Sequence, residues 1–290
     1  MTPYRCNLIV PGFAKSGTSS LHEYLNLHPG ICMSSNKEPH HFAFTDKVSR
    51  GAEDHNALFK KSDGNEVWFG ESSTSYAVWE PALCRIKSNL SNTRLIVLLR
   101  DPVERLLSHY GWMYALGLEP RELMAALDNE TKEPTLPELS RKGCYPWYRR
   151  HSNYSYFCEL MKFIFGDENI LFINSDDLKN NPERTLNQCF RFLQLSPIKF
   201  EGVIHVNKTC EKTTQRTLGL DQVVKPIPRG LRDFVDPNHT IREALLKFLG
   251  RKGLKAKAPT AEEISAITKL VAKDSAYYRN LFTSLSSSSE

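Results

Sequence analysis

A short loop near the start of the chain carries residue types suited to holding an anion. It runs from Gly12 to Ser19, as Gly-Phe-Ala-Lys-Ser-Gly-Thr-Ser, and joins an apolar segment to a predicted helix. The free N–H groups in the first turn of a helix bind anions, and the helix dipole favours negative charge there. Lys15 adds a positive charge. The loop predicts a phosphate or sulfate site, although Gly-Ser-Thr turns also serve as ordinary connections.

The position of the lysine argues against a nucleoside triphosphate. In the Walker A loop, G-x-x-x-x-G-K-[ST], the lysine directly follows the second glycine. In this chain Lys15 comes before Gly17. Its side chain therefore enters the loop from a different point than the Walker A lysine does.

A second segment supplies another candidate ligand for an anion. Leu95–Leu99 is an unbroken apolar run, which is typical of a strand buried on both faces in a parallel sheet. Asp101-Pro102 ends that strand and begins a helix, because proline is tolerated in a first turn. Arg100 then lies at the carboxyl end of the strand, where open α/β sheets bind ligands. Ser108 follows about two helical turns later. Either residue could instead be an ordinary surface residue.

Four sequence blocks, in one order, resemble the sulfotransferases that use 3′-phosphoadenosine 5′-phosphosulfate (PAPS). The blocks GFAKSGTSSL, KEPHHF, GESSTSY and RLIVLLRDPVERLLSHY begin at Gly12, Lys37, Gly70 and Arg94. The resemblance is nearest to the carbohydrate branch, the chondroitin and heparan sulfate O-sulfotransferases, and to its bacterial relatives. It implies an enzyme that moves a sulfuryl group from PAPS to an acceptor hydroxyl on a carbohydrate. The rival acceptor is a hydroxyl or amine of a small metabolite.

The same resemblance implies roles for the residues that match its motifs. Arg100 and Ser108 match the pair that binds the 3′-phosphate, and Arg216 is a further candidate for that group. A guanidinium fork and a hydroxyl suit a terminal phosphate. Lys15 would neutralise charge on the oxygen that leaves sulfur, and no metal is expected. The loop residues that match the 5′-phosphosulfate site are Lys15, Ser16, Gly17, Thr18 and Ser19.

Glu38 matches the carboxylate that serves as general base in the carbohydrate branch. Sulfuryl transfer to a hydroxyl requires in-line attack on sulfur and removal of the acceptor proton, which a placed carboxylate can accept. His40 and His41 are competing candidates, since the small-molecule branch uses a histidine. Alternatively, all of these are loop or packing residues. Ser72 stands where heparan 3-O-sulfotransferases carry a lysine, which weighs against a heparan-type acceptor.

Length and composition fit one large α/β domain. With 290 residues and 40% hydrophobic content, the chain can bury a substantial core. We predict one domain over residues 1–283 and a disordered polar tail over 284–290. The resemblance implies a three-layer, P-loop-kinase-like sulfotransferase fold, a parallel sheet flanked by helices. Further strands are predicted at 67–70 and 170–174. Helices are predicted at 20–27, 103–116, 148–165, 182–193, 241–249 and 260–282.

Composition also limits the partners and the compartment. A net charge of +5 is too mild to predict nucleic acid binding. No C-x-x-C pair occurs among the seven cysteines, which favours reduced thiols. We find no apolar run long enough to span a bilayer, and the first strand begins soon after Met1, which favours a cytoplasmic enzyme. Five N-x-S/T triplets favour a secretory history instead, in the Golgi lumen with an anchor outside this chain.

Two other functional classes stay open. A nucleotide kinase would share the strand, loop and helix, but it would need the lysine after the glycine and an acidic magnesium ligand at a strand end. A non-catalytic nucleotide-binding module would keep the loop while Glu38 stayed idle.

Overall fold

Parallel strands form the sheet at the centre of the fold. The computed structural model describes residues 2–60, 64–130, 145–199 and 256–287. In these residues one sheet has five strands in the order β2-β3-β1-β4-β5. The strands are β1 (Leu8–Val10), β2 (Ile31–Met33), β3 (Trp68–Ser72), β4 (Arg94–Leu99) and β5 (Ile170–Asn174).

The strand order brings three loops together at one edge. β1 is central, with Leu8 opposite Gly70 of β3 on one side and opposite Arg94 of β4 on the other. All these pairs are parallel, so the strands end at the same edge of the sheet. The segments that follow β1, β3 and β4 therefore meet where open α/β sheets bind ligands.

Helices surround the sheet, and several begin at residues that favour a helix start. The Asp101 side chain accepts hydrogen bonds from the backbone N–H groups of Val103 and Glu104, both at 3.0 Å, and Pro102 is the first helical residue. Thr260 and Glu263 form a capping box. The helices are α1 (Thr18–Leu25), α2 (Thr45–Ser49), α3 (Glu53–Asn56), α4 (Glu80–Asn89), α5 (Pro102–Ala115), α6 (Leu123–Asp128), α7 (Tyr154–Phe165), α8 (Ser175–Asn180), α9 (Pro182–Phe192), α10 (Ala261–Leu270) and α11 (Ala272–Ser287).

Each face of the sheet is covered by its own hydrophobic cluster. Successive strand residues point to opposite faces. Leu8 and Val10 accordingly pack in a cluster with side chains of α1 and α9. Ile9 and Val97 pack in the other cluster, with side chains of α4 and α7. This three-layer arrangement confirms the predicted fold class.

Most of the predicted elements are found near their expected positions. The strand predicted at 170–174 is β5, and the helix predicted at 103–116 is α5. The helix predicted at 148–165 begins only at Tyr154, after a 3-10 turn at Arg150–Ser152. The helix predicted at 260–282 is two helices that meet at Val271. The predicted helix at 241–249 lies outside the described residues.

The predicted polar tail at 284–290 is partly helical. α11 continues to Ser287, and only Val271 separates it from α10. Residues 288–290 lie outside the described part. Among the described residues, no helix combines the length and the apolar character that crossing a membrane requires.

Candidate active site

The predicted anion loop lies between β1 and α1, against the segment that follows β3. Gly17 has a φ of +96°, which glycine adopts far more readily than other residues. A Cβ on Gly12 would lie 2.8 Å from the Cβ of Ala77, so this loop packs too closely for a side chain there. No side chain caps α1. The start of a helix favours a bound anion, through its N–H groups and the helix dipole.

Lys15 is a partly buried cation for which the described residues supply no carboxylate ion pair. Its Nζ lies 5.1 Å from the centroid of the Trp112 ring. Burial, followed by repulsion from Arg100 and Lys37, lowers the pKa of Lys15 to about 8. The negative charge of a bound anion would offset both effects. The residues of this loop thus fit a phosphate or phosphosulfate group.

Arg100 lies at the carboxyl end of β4 and contacts α5. Its Nη2 and Nε lie 2.9 Å and 3.2 Å from Glu104 Oε2. The Glu104 side chain is 57% exposed, and such i,i+4 pairs contribute only about 0.3–0.5 kcal/mol. Arg100 can therefore exchange Glu104 for a phosphate at little cost. Ser108 lies one turn beyond Glu104 and one turn before Trp112, so the residues that touch Arg100 and Lys15 flank it.

Glu38 lies in a set of hydrogen bonds beside the loop. Its Oε1 lies 2.6 Å from Lys37 Nζ. Its Oε2 accepts from the Thr74 backbone N–H at 2.8 Å and from the Thr74 hydroxyl at 3.0 Å. Burial alone would raise the pKa of Glu38, but Lys37, His40 and the Thr74 hydrogen bond outweigh it and lower the pKa. The side chain is an ionised carboxylate that is still 22% exposed, as a base must be to reach an acceptor.

The two neighbouring histidines point to different places. His40 is buried, its Nδ1 lies 2.8 Å from Ser75 Oγ, and its Nε2 lies 3.4 Å from Glu38 Oε2. His41 instead contacts Tyr4, with Nε2 3.0 Å from the hydroxyl, and its ring lies 4.5 Å from that of His55. Burial and His55 lower the pKa of His41 to about 4. The structure therefore places His40, and not His41, beside Glu38.

The Ser72 side chain makes a hydrogen bond inside the protein. It is fully buried at the end of β3, and its Oγ lies 2.9 Å from His22 Nδ1. The other ring nitrogen of His22 lies 3.1 Å from the Ser34 carbonyl oxygen. Ser72 therefore supplies no charge to the site, and the cation beside Glu38 is Lys37.

The sequence motifs did not indicate two buried residues, Arg105 and His151, that contact the backbone of the loop. Arg105 is fully buried, with Nη1 3.4 Å from the Ala14 carbonyl oxygen and Nη2 2.8 Å from Ser152 Oγ. His151 Nδ1 accepts from the Ala14 N–H at 3.4 Å. Both groups fix the backbone just before Lys15. The position of Arg105 inside the block that contains Arg100 was the available signal. Arg216 lies outside the described residues.

Lys37 should influence both charged groups of the site. Replacing Lys37 with methionine should raise the pKa of Glu38, because the anion loses its cation, and raise the pKa of Lys15, because a repulsion disappears. NMR titration of the labelled Glu38 carboxyl and Lys15 Nζ would measure both. Lys87→Met, an exposed lysine on α4, is the matched control. Unchanged pKa values in Lys37→Met would contradict this description of the site.

Comparisons with known proteins agree on one family. A family profile described as the sulfotransferase domain matches residues 6–218. The membrane-associated sulfotransferase kil1 of Dictyostelium discoideum is 40% identical over 106 residues, which are 36% of this chain and 22% of that protein. Heparan sulfate glucosamine 3-O-sulfotransferase 3B1 of Mus musculus is 26% identical over 252 residues, which are 79% of this chain and 60% of that protein. The chain thus spans less than two thirds of the length of either relative.

A solved structure shares the fold. The crystal structure of a sulfotransferase from Alicyclobacillus acidocaldarius matches with a TM-score of 0.56 and 23% sequence identity, covering 85% of this chain and 96% of that one. The predicted family resemblance and the predicted fold are both confirmed.

Proposed function

The chain belongs to the sulfotransferase domain family, and on that premise we propose that it transfers a sulfuryl group from PAPS to an acceptor hydroxyl. One observation carries the proposal: Thr74 joins the base to the anion loop. Its N–H donates to Glu38 at 2.8 Å, and its carbonyl oxygen would lie 3.2 Å from a Cβ on Gly12. An ionised carboxylate therefore lies at the same edge of the sheet as the loop that, in this proposal, holds the phosphosulfate.

Each group of residues at the site has its own role in this proposal. The loop from Lys15 to Ser19 holds the 5′-phosphosulfate, and Arg100, Ser108 and Arg216 bind the 3′-phosphate. Glu38 takes the proton of the acceptor hydroxyl while the oxygen of that hydroxyl attacks sulfur. The bond between sulfur and the phosphate oxygen breaks, and adenosine 3′,5′-bisphosphate (PAP) leaves. Lys15 and the start of α1 stabilise the charge that builds up on the leaving oxygen.

A carbohydrate is the proposed acceptor. The mouse relative is a heparan sulfate glucosamine 3-O-sulfotransferase by name. Ser72 occupies the position at which heparan 3-O-sulfotransferases carry a lysine, and it is an uncharged residue buried against His22. The glycan therefore need not be of the heparan type. A small-molecule hydroxyl or amine is the alternative acceptor.

Incubation with PAPS and a mixed panel of acceptors tests this function. The panel contains glycans of the chondroitin and heparan types, phenols and small amines, and mass spectrometry detects the sulfated products. We expect sulfated glycan. Products found only among phenols or amines would favour the small-molecule alternative. In a parallel incubation that contains ATP instead of PAPS, consumption of ATP would support a nucleotide kinase.

Arg100 should matter mainly for binding the nucleotide. Arg100→Ala should weaken PAP binding about 10- to 150-fold, because hydrogen bonds to charged groups contribute about 1.5–3 kcal/mol. Titration calorimetry with PAP measures the affinity. Glu104→Gln is the matched control, since it frees Arg100 from its ion pair and should leave binding equal or slightly tighter. Parent-like affinity in Arg100→Ala would remove Arg100 from the site.

A further inference from the structure

We propose that Thr74 is a positioning residue for Glu38, and that Glu38 Oε1 is the atom that takes the acceptor proton. This inference rests on the proposed function, in which Glu38 is the base. Thr74 directs two donors, its backbone N–H and its hydroxyl, to the same carboxylate oxygen, Oε2. Two charge-assisted hydrogen bonds from one residue restrain the position of Oε2.

The two carboxylate oxygens of Glu38 differ in the contacts that they make. Oε2 accepts two hydrogen bonds, which use its two lone pairs, and His40 Nε2 lies 3.4 Å away. Oε1 contacts Lys37 at 2.6 Å. Because an ionised carboxylate oxygen accepts about two hydrogen bonds, Oε1 retains room for the hydroxyl of an acceptor. The Lys37 side chain is 23% exposed, so it can shift when an acceptor arrives.

Thr74 is itself held in one orientation. Its Oγ1 lies 3.1 Å from the hydroxyl of Tyr145, which is fully buried. Thr74 has one hydroxyl proton and Glu38 accepts it, so Tyr145 donates to Thr74. Tyr145 stacks on His151 with 5.3 Å between ring centroids and 9° between ring planes. His151 in turn accepts from the Ala14 N–H, so one series of contacts connects the base with the anion loop.

The alternative is that Thr74 only stabilises the fold. Thr74→Val separates the two, because it removes the hydroxyl and keeps the shape and the backbone N–H. Losing a hydrogen bond to the charged form raises the pKa of Glu38, which makes it a stronger base. If the hydroxyl acted only on basicity, the maximal kcat would stay equal or rise. If it positions the carboxylate, the maximal kcat falls.

The experiment records the pH profile of kcat together with an NMR titration of the Glu38 carboxyl. For Thr74→Val we expect a maximal kcat about tenfold lower, an acid limb moved to higher pH, and little change in the KM for PAPS. Thr74→Ser should restore parent behaviour. Tyr145→Phe should also lower kcat and move the acid limb to higher pH, but by less than Thr74→Val does. Thr268→Val, an exposed threonine on α10, is the control.

The outcomes separate this inference from the proposed function. A maximal kcat in Thr74→Val that equals or exceeds that of the parent, with or without a change in the titration of Glu38, would overturn the inference alone. If Thr74→Val does not fold, parent-like behaviour of Tyr145→Phe on both measurements would overturn it. If the parent transfers no sulfuryl group, the proposed function fails, and the titration still decides whether Thr74 holds the carboxylate.

Discussion

Replacing Glu38 with glutamine should lower the kcat of sulfuryl transfer by about 100- to 10,000-fold, the usual contribution of a general base. Glutamine has nearly the same shape, and its amide oxygen can still accept from Thr74. It cannot take a proton from a hydroxyl at neutral pH. The loss should therefore fall on kcat, while PAP binding stays near that of the parent. Steady-state kinetics with PAPS and calorimetry with PAP would measure the two effects.

The control for this experiment is Glu23→Gln, an exposed glutamate on α1. It should keep parent activity. Full activity in Glu38→Gln would show that the base is another group. His40 would then be the next candidate, because its Nε2 is only 3.4 Å from Glu38 Oε2. His41 would be a poor one, since it faces Tyr4 and His55.

Replacing Lys15 with methionine should lower kcat by about 100- to 1,000-fold, the usual effect of removing one group that stabilises transition-state charge. Methionine keeps an apolar stem against Trp112 but removes the cation. Lys15 also adopts a φ of +69°, so a substitute with a Cβ leaves the backbone preference unchanged, whereas glycine would alter it. Rapid-quench kinetics in a single turnover would isolate the chemical step.

Lys15 should also make PAP binding depend on pH. In the free protein its pKa is lowered to about 8 by burial and by Arg100 and Lys37. The protonated amine favours an anion, so PAP affinity should be highest below pH 8 and fall as the pH rises through that value. Lys15→Met should bind more weakly and lack this dependence. A parent affinity that stays constant across this range would contradict the placement of Lys15 against the phosphates.

The strands of the sheet could be predicted where a buried strand appears in the sequence as a continuous apolar run. β4 and β5 are apolar runs buried between helices, and both were found. β2 has only three residues, which is too short for a periodic pattern. The sequence predicts that the helix begins at Tyr148, six residues before α7 does. In the structure Trp147 and Tyr148 are buried ahead of the helix, so tertiary packing overrides the local pattern.

The candidate site could be predicted only as far as motifs reach. The loop, Arg100 and Glu38 are predicted from the sequence blocks that contain them, and their roles stay predictions. The sequence offers both His40 and His41 and favours His41 as a catalytic residue, whereas in the structure His41 faces Tyr4 and His55. Adjacent residues point in different directions, and only the surrounding fold decides which one faces Glu38. The contact of Thr74 with Glu38 joins residues 36 positions apart. Such a contact depends on β3 ending beside β1, which no local pattern reveals.

The most direct test of the central claim is a time course of PAP and of sulfated acceptor, measured together by mass spectrometry. The parent and Glu38→Gln are each incubated with PAPS and the same panel of glycans, phenols and amines. We predict that the parent forms PAP and sulfated glycan in equal amounts, and that Glu38→Gln binds PAP normally but forms almost no product. A parent protein that binds PAP tightly yet sulfates no glycan, phenol or amine would contradict the claim and leave a nucleotide-binding module.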